Sequence, residues 1–281
     1  MIKIERMDIS EIDFAHHLTE VEKWGVSKEE LLTLHSFSPN SLFVAKRDNS
    51  EELIGIIVVV PYKTFSFIGN VIVLKEYRGK GIGIQLMKYA INYVENLGIP
   101  SILLDAIVNI IPWYEGLGFK KCYKSFRLKG KIHAQNNSKS PFVRLMTFDD
   151  LKKVFELDLK HFKANRSVLL MDIFTTFPEL CKVIDRNGII TSFIMGVRRS
   201  TNIKLGPWIV DDIEDKPQIL IESYYHENYE IYMGILEINK EALKIAQRCG
   251  LIVNYYSVRM NFGEKISISP GLYAIGGPDR G

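Results

Sequence analysis

The sequence predicts an α/β chain of the α+β kind, arranged as two domains in tandem. Three observations lead there. Strand-like and helix-like patterns alternate as β-α-α-β-β-β-α-β-α-β through about Arg127. Residues 131–140 hold the polar run Gln135-Asn136-Asn137-Ser138 and read as a linker. The theme then starts again, which sets the domains at 1–130 and 141–281. A length of 281 residues suits two domains of medium size.

In the first half, residues 1–6 form a strand pattern, and Ser10 can cap a helix from about Glu11 to Lys23. Ser27-Lys28-Glu29-Glu30 is a capping box that opens a second helix. Leu42 to Lys46 and Leu53 to Val60 read as paired strands. Thr64 to Val73 is a further strand, and its Gly69-Asn70 predicts a bulge. Ile84, Met87, Ile91 and Val94 recur at helical spacing and predict one buried face, with Gly98 and Pro100 ending the helix.

In the second half, Phe142 to Met146 is strand-like. Asp149 and Asp150 begin a helix expected to bury Leu151, Val154, Phe155, Leu159 and Phe162. Asn187-Gly188 predicts a hairpin, and Ile203 to Val210 a strand broken at Gly206-Pro207. Tyr229 to Glu237 is another strand, and Asn239 caps a helix that stops at Gly250.

Composition excludes several classes. A net charge of +3 is too small for nucleic acid as the main partner, and the lysines between Lys120 and Lys131 read as a solvated strand. Three distant cysteines give neither a disulfide framework nor a zinc site. The start Met1-Ile2-Lys3-Ile4-Glu5-Arg6 is no signal peptide. The longest apolar run, Leu53 to Val60, falls far short of the ~18 residues that span a bilayer. The expectation is a cytoplasmic protein with no membrane and no metal.

Chemistry concentrates in Arg78-Gly79-Lys80-Gly81-Ile82-Gly83, which joins an apolar strand to an amphipathic helix. Glycines let the main chain approach a ligand, and a helix start offers unpaired N–H groups to phosphate. No G-x-x-x-x-G-K-[ST] loop exists, and Ile84 replaces the third glycine of a dinucleotide fingerprint. The pattern that remains, Arg78, Gly81 and Gly83 as [RQ]-x-x-G-x-[GA], resembles the acyl-coenzyme A signature of the GNAT N-acetyltransferase superfamily. Tyr114-Glu115-Gly116-Leu117-Gly118-Phe119, one helix and one strand later, resembles that family's second motif.

The resemblance implies tandem GNAT domains, each a mixed, mostly antiparallel sheet flanked by helices. It implies acetyl-CoA as donor and transfer of its acetyl group to a primary amine. Main-chain amides of Ile72 and Val73 would hold the thioester and pantetheine arm, and Arg78, Gly79, Lys80, Gly81, Ile82 and Gly83 the pyrophosphate. Tyr114 would protonate the departing thiolate. Asn109 could bond the cofactor arm or cap a helix. Thr64 to Asn70 lacks the carboxylate that often serves as base, which leaves Asp105 as candidate, and Lys75 stands where proline is frequent.

The second half resembles the C-terminal domain of tandem GNAT proteins in Asp158, Phe162, Arg166, Leu169 and Leu170, in Leu205-Gly206-Pro207-Trp208, in Arg259-Met260 and in Tyr273 to Pro278. It carries Asp211-Asp212 where a glycine loop would stand, so one donor site is expected. The acceptor is expected to be a small molecule, and the protein a monomer or homodimer. A catalytically silent CoA-binding module and a protein acetyltransferase stay open as alternatives.

Overall fold

The computed structural model describes residues 2–48, 50–133, 140–199, 201–212, 216–225 and 229–281. The chain forms two compact units. The first comprises Met1–Leu104 with Asn261–Lys265 and Arg280; the second comprises Asp105–Met260, Ile266–Asp279 and Gly281.

The first unit runs β1 (Ile2–Arg6), α1 (Ile12–Val21), α2 (Lys28–Phe37), β2 (Leu42–Arg47), β3 (Leu53–Pro61), β4 (Ser66–Val73), α3 (Ile82–Asn96) and β5 (Ser101–Ala106, through Leu104 in this unit). Strands β1 to β4 pair antiparallel in order, and β5 joins β4 in parallel. Strand β3 is buried along nearly its whole length, so it reads as a continuous apolar run instead of an alternation. Helix α3 packs on β3 and β4, and Phe43 meets its Tyr89 and Tyr93 edge-on at 4.9 and 5.0 Å. Gly55 admits that packing, because a Cβ there would lie 2.9 Å from the Ile72 carbonyl and 3.3 Å from Leu86.

Local signals map well onto this unit, with two differences. Ser27 and Glu30 form the predicted capping box. The cap before α1 is Asp8, whose carboxylate accepts from the Ser10 N–H, so Ser10 lies inside a short 3-10 turn. The inward face of α3 is Ile82, Leu86, Met87, Ala90, Ile91 and Val94, while Ile84 is 39% exposed. The stripe opens on Ile82 instead, two residues before Ile84.

The predicted bulge is present in β4. Val58 pairs with Gly69 and Ile56 with Ile72, which sets Asn70 and Val71 against Ile57 alone. Asn70 takes φ +50, a left-handed conformation that asparagine tolerates. Beyond this point β4 has no ladder with β5. The two strands pair only at Ser66 with Ile102 and Phe67 with Leu103, then part.

The second unit runs α4 (Ile111–Glu115), β6 (Lys120–Gly130), β7 (Val143–Leu145), α5 (Leu151–Phe162), α6 (Ser167–Thr176), β8 (Lys182–Arg186), β9 (Ile189–Arg198), β10 (Asn202–Val210), α7 (Gln218–Glu222), β11 (Glu230–Leu236), α8 (Lys240–Arg248), β12 (Ile252–Gly263, through Met260 in this unit) and β13 (Leu272–Ala274). Strands β7 to β10 pair antiparallel, β11 runs parallel to β10, and β6 pairs antiparallel with β11. One core packs Trp208, Leu220, Ile235 and Ala246 together, and another packs Val154, Leu170, Phe193 and Ile209. The Asn187-Gly188 turn has φ of 54 and 84, as a tight hairpin needs, and the Asn239 side chain caps α8.

Three features of this unit depart from the sequence pattern. Leu159 is 51% exposed, and Asp158 takes the inward place because Arg166 clamps it with two hydrogen bonds of 2.7 and 2.9 Å. Strand β6, which ends at Gly130, groups with the second unit, since Ser125 to Gly130 pair one for one with β11. At the start of the expected linker, Ile132 is buried and the His133 N–H donates to the Cys249 carbonyl at 2.8 Å. Residues 134–139 of that linker lie outside the described residues.

The gap between β10 and β11 is filled. Their ladder covers Asn202 to Leu205, after which β13 enters and pairs with β10 at Trp208 and Ile209. The Ile275 N–H then donates to the Gly234 carbonyl of β11 at 2.9 Å. Among the described residues, no helix is long and apolar enough to cross a membrane.

Candidate active site

The glycine loop forms the open end of the β4 edge. Strand β4 ends at Val73, and a 3-10 turn over Lys75–Tyr77 leads to Arg78 and then α3. Gly79 and Gly81 both take φ +78, and a Cβ on either would meet nothing within 4 Å. The glycines therefore serve backbone conformation in a region open to a ligand. The first helical bond runs from the Gln85 N–H to the Gly81 carbonyl at 3.1 Å, so the N–H groups of Ile82, Gly83 and Ile84 have no partner within the helix. Gly81, the residue before α3, supplies no side-chain cap, and the first turn holds no acid. Ile82 buries its side chain and pins the turn to the core.

Two cations flank these groups. The Lys80 ammonium donates to the Glu76 carbonyl at 3.0 Å and sits 4.9 Å from the Tyr77 ring centre. Arg78 donates through Nε to the Val73 carbonyl at 2.8 Å and through Nη2 to Glu22 at 2.5 Å. Lys75, in the place where proline is frequent, is exposed.

Strand alternation separates Ile72 from Val73. The Leu74 N–H donates to the Ile54 carbonyl at 2.9 Å, so N–H groups two apart along β4 face β3. That turns the Ile72 amide into the sheet and the Val73 amide away from it. The Val73 carbonyl agrees, since it faces Arg78 and not β3. Of the two residues, Val73 offers its main chain to the side that β5 leaves.

In the second unit, Asp105 is the centre of a buried ion cluster. Arg259 Nε donates to one carboxylate oxygen, and Arg127 Nη2 donates to the other at 2.7 Å. Both Asp105 and Arg259 are 1% exposed. Burial alone would raise the carboxyl, but the two guanidiniums hold it below its ordinary 3.8. A carboxylate so engaged is a poor proton acceptor, which removes the physical basis for Asp105 as general base. Its expected role is structural. Asp105→Asn, which leaves the buried Arg259 and the part-buried Arg127 without their carboxylate, should cost about 3–5 kcal/mol in chemical denaturation. The sign of its pH dependence follows: the lowered carboxyl contributes stability above the unfolded value, and that contribution disappears as pH falls below about 4.

Tyr114 lies on α4 with its ring 7% exposed, 4.8 Å from Trp113 and 5.9 Å from Phe119 in edge-on contacts. Its hydroxyl has no hydrogen-bond partner among the described residues. Burial pushes the phenol up to about 12, so it holds its proton throughout the physiological range. Asn109 is exposed in the turn Val108–Ile110 and caps no helix. In the loop after β10, Asp211 is bound by Lys160 at 2.5 Å and by His161 at 2.8 Å, and α7 is five residues long where α3 has fifteen. Among the described residues, no cluster of His, Cys, Asp or Glu could hold a metal ion.

Sequence reasoning missed the partners of these groups: Glu22 for Arg78, and Arg127 with Arg259 for Asp105. In the sequence, Arg259 carries only the family resemblance.

Models of the acetyltransferase (GNAT) domain match residues 38–121 and, separately, residues 154–271. The chain belongs to the GNAT acetyltransferase family, with two such domains in tandem. Acetyl-CoA is the cosubstrate of GNAT domains. The chain is 30% identical over 188 residues to holothin acyltransferase of Pseudoalteromonas sp. (strain SANK 73390), a match covering 66% of this chain and 62% of that one. It is 26% identical to the uncharacterized N-acetyltransferase YitH of Bacillus subtilis (strain 168), covering 63% of each. These matches span less than two thirds of the curated relatives. The crystal structure of a proposed acetyltransferase from Pyrococcus horikoshii shares the fold, with a TM-score of 0.83 at 18% identity over 100% of this chain and 96% of that one.

Proposed function

We propose that this GNAT protein is an acetyl-CoA-dependent N-acetyltransferase that acetylates a primary amine of a small molecule. One observation carries the reading. Strand β4 parts from β5 and runs directly into a glycine loop whose helix start offers unpaired N–H groups. An extended arm ending in a diphosphate matches that geometry: a main-chain edge for the arm, an anion nest for the phosphates.

The residues divide the work. Acetyl-CoA supplies an activated thioester, on which the amine nitrogen forms a C–N bond as the C–S bond breaks. The proton that the nitrogen sheds passes to water, from which the Tyr114 phenolate is reprotonated after it has protonated the thiolate. The Gly79 to Ile84 main chain, with Arg78 and Lys80, binds and orients the donor. The Val73 amide is placed to hold a carbonyl oxygen of the arm. Tyr114 keeps its proton at neutral pH and donates it to the leaving sulfur. The second domain has neither a glycine loop nor an open gap after β10, which supports one donor site per chain. The names of the curated relatives, an acyltransferase and an N-acetyltransferase, support the reaction class.

Acetyl-CoA at ~100-fold over its Kd should stabilise the protein by roughly 2.7 kcal/mol in thermal melts. An unmoved melt would end the donor assignment. Thiol release with a panel of small amines, peptide N-termini and lysine peptides then reads the acceptor. Release with peptides alone would replace the small-molecule reading, and binding without release would make the chain a silent CoA-binding module.

A further inference from the structure

Among the described residues Arg78 has two partners, and they do different things. The 2.8 Å bond from Nε to the Val73 carbonyl lays the guanidinium along the open edge of β4. The 2.5 Å bond from Nη2 reaches Glu22, which follows the last residue of α1. Among the described residues, Arg78 is the one side-chain partner of Glu22. An anionic oxygen therefore already sits on the loop's arginine, where a phosphate oxygen of the donor would compete for the same N–H.

The far side of this ion pair is the connection between α1 and α2. Lys23 takes φ +57 and Gly25 φ +64, so this short segment reverses through two left-handed positions, one of them unfavourable for its side chain. Its main-chain anchors include the Lys23 N–H on the Glu20 carbonyl and the Trp24 N–H on the Thr19 carbonyl, and the Thr19 hydroxyl faces the Val26 carbonyl at 3.4 Å. Glu22 ties the segment to the loop.

We infer that Glu22 is a positioning residue of the donor loop, a carboxylate that holds the place of phosphate on Arg78 until the donor arrives. Donor binding passes Arg78 from Glu22 to the diphosphate and frees the α1–α2 connection. Loading the donor thus changes the surface that residues 22–26 present. The inference rests on reading residues 78–83 as the diphosphate site.

The test uses the full chain and CoA itself. Calorimetry should show Glu22→Gln binding CoA roughly two- to fivefold more tightly than the wild type, the scale of an exposed ion pair. Glu22→Ala should do the same, which guards against a defect peculiar to one variant. Hydrogen exchange at residues 23–26 should quicken in the wild type when CoA is added, and should be quick in Glu22→Gln without CoA. A contact that merely braces the fold would leave CoA affinity unchanged or weaken it, and either result overturns the inference alone. A wild type that binds no CoA overturns the diphosphate reading and this inference with it.

Discussion

Gly81→Val is expected to abolish the thermal stabilisation by acetyl-CoA. The reason is backbone conformation, because a Cβ at this position would meet no atom within 4 Å, yet φ is +78. A β-branched residue resists that region, and the left-handed conformation costs about 1–2 kcal/mol for L-residues generally. The loop would escape by turning its peptide planes, and the N–H groups of Ile82 to Ile84 would no longer converge. At a donor concentration that gives the wild type roughly 2.7 kcal/mol, a hundredfold loss of affinity leaves almost none. The unliganded variant should also melt about 2–4 °C lower. Gly81→Ala should fall between the two. An unchanged donor shift in the valine variant would mean that the loop does not bind the donor.

Tyr114→Phe should separate chemistry from binding. The ring would keep its contacts with Trp113 and Phe119. The lost hydroxyl has no protein partner among the described residues, so its removal should leave stability unchanged or slightly raised. Turnover should fall within the ~10²–10⁴-fold range of general-acid catalysis while donor affinity stays the same. Since burial pushes the phenol up to about 12, no loss of its proton should limit activity at ordinary assay pH. Unchanged turnover would remove Tyr114 from the mechanism, and equal loss of donor binding would make it a packing residue.

Local signals in this chain read true because their physics is local. The Ser27 box, the Asn239 cap, the Asn187-Gly188 turn and the β4 bulge each depend on a few adjacent residues. Helix faces were less legible. Ile84 and Leu159 fit an apolar stripe but face solvent, and Asp158 is buried because Arg166 meets it eight residues on. The greatest gap concerned charge partners. Asp105 lies 22 residues from Arg127 and 154 from Arg259, and Glu22 lies 56 from Arg78. No spacing rule reaches that far, so a carboxylate that looked available as a base proved to be bound on both oxygens. The pairing of β6 was illegible for the same reason, since its partner β11 begins about a hundred residues later.

The two gaps, one between β4 and β5 and one between β10 and β11, are now different objects. The second is occupied by residues 272–275 of the same chain. A tethered segment competes at an effective concentration in the millimolar range for short flexible connections, and no dilution removes it. A free ligand of ordinary affinity meets that competitor at every encounter. In the second domain, what was a binding cleft in form has become a self-saturated one, and its contacts count toward folding.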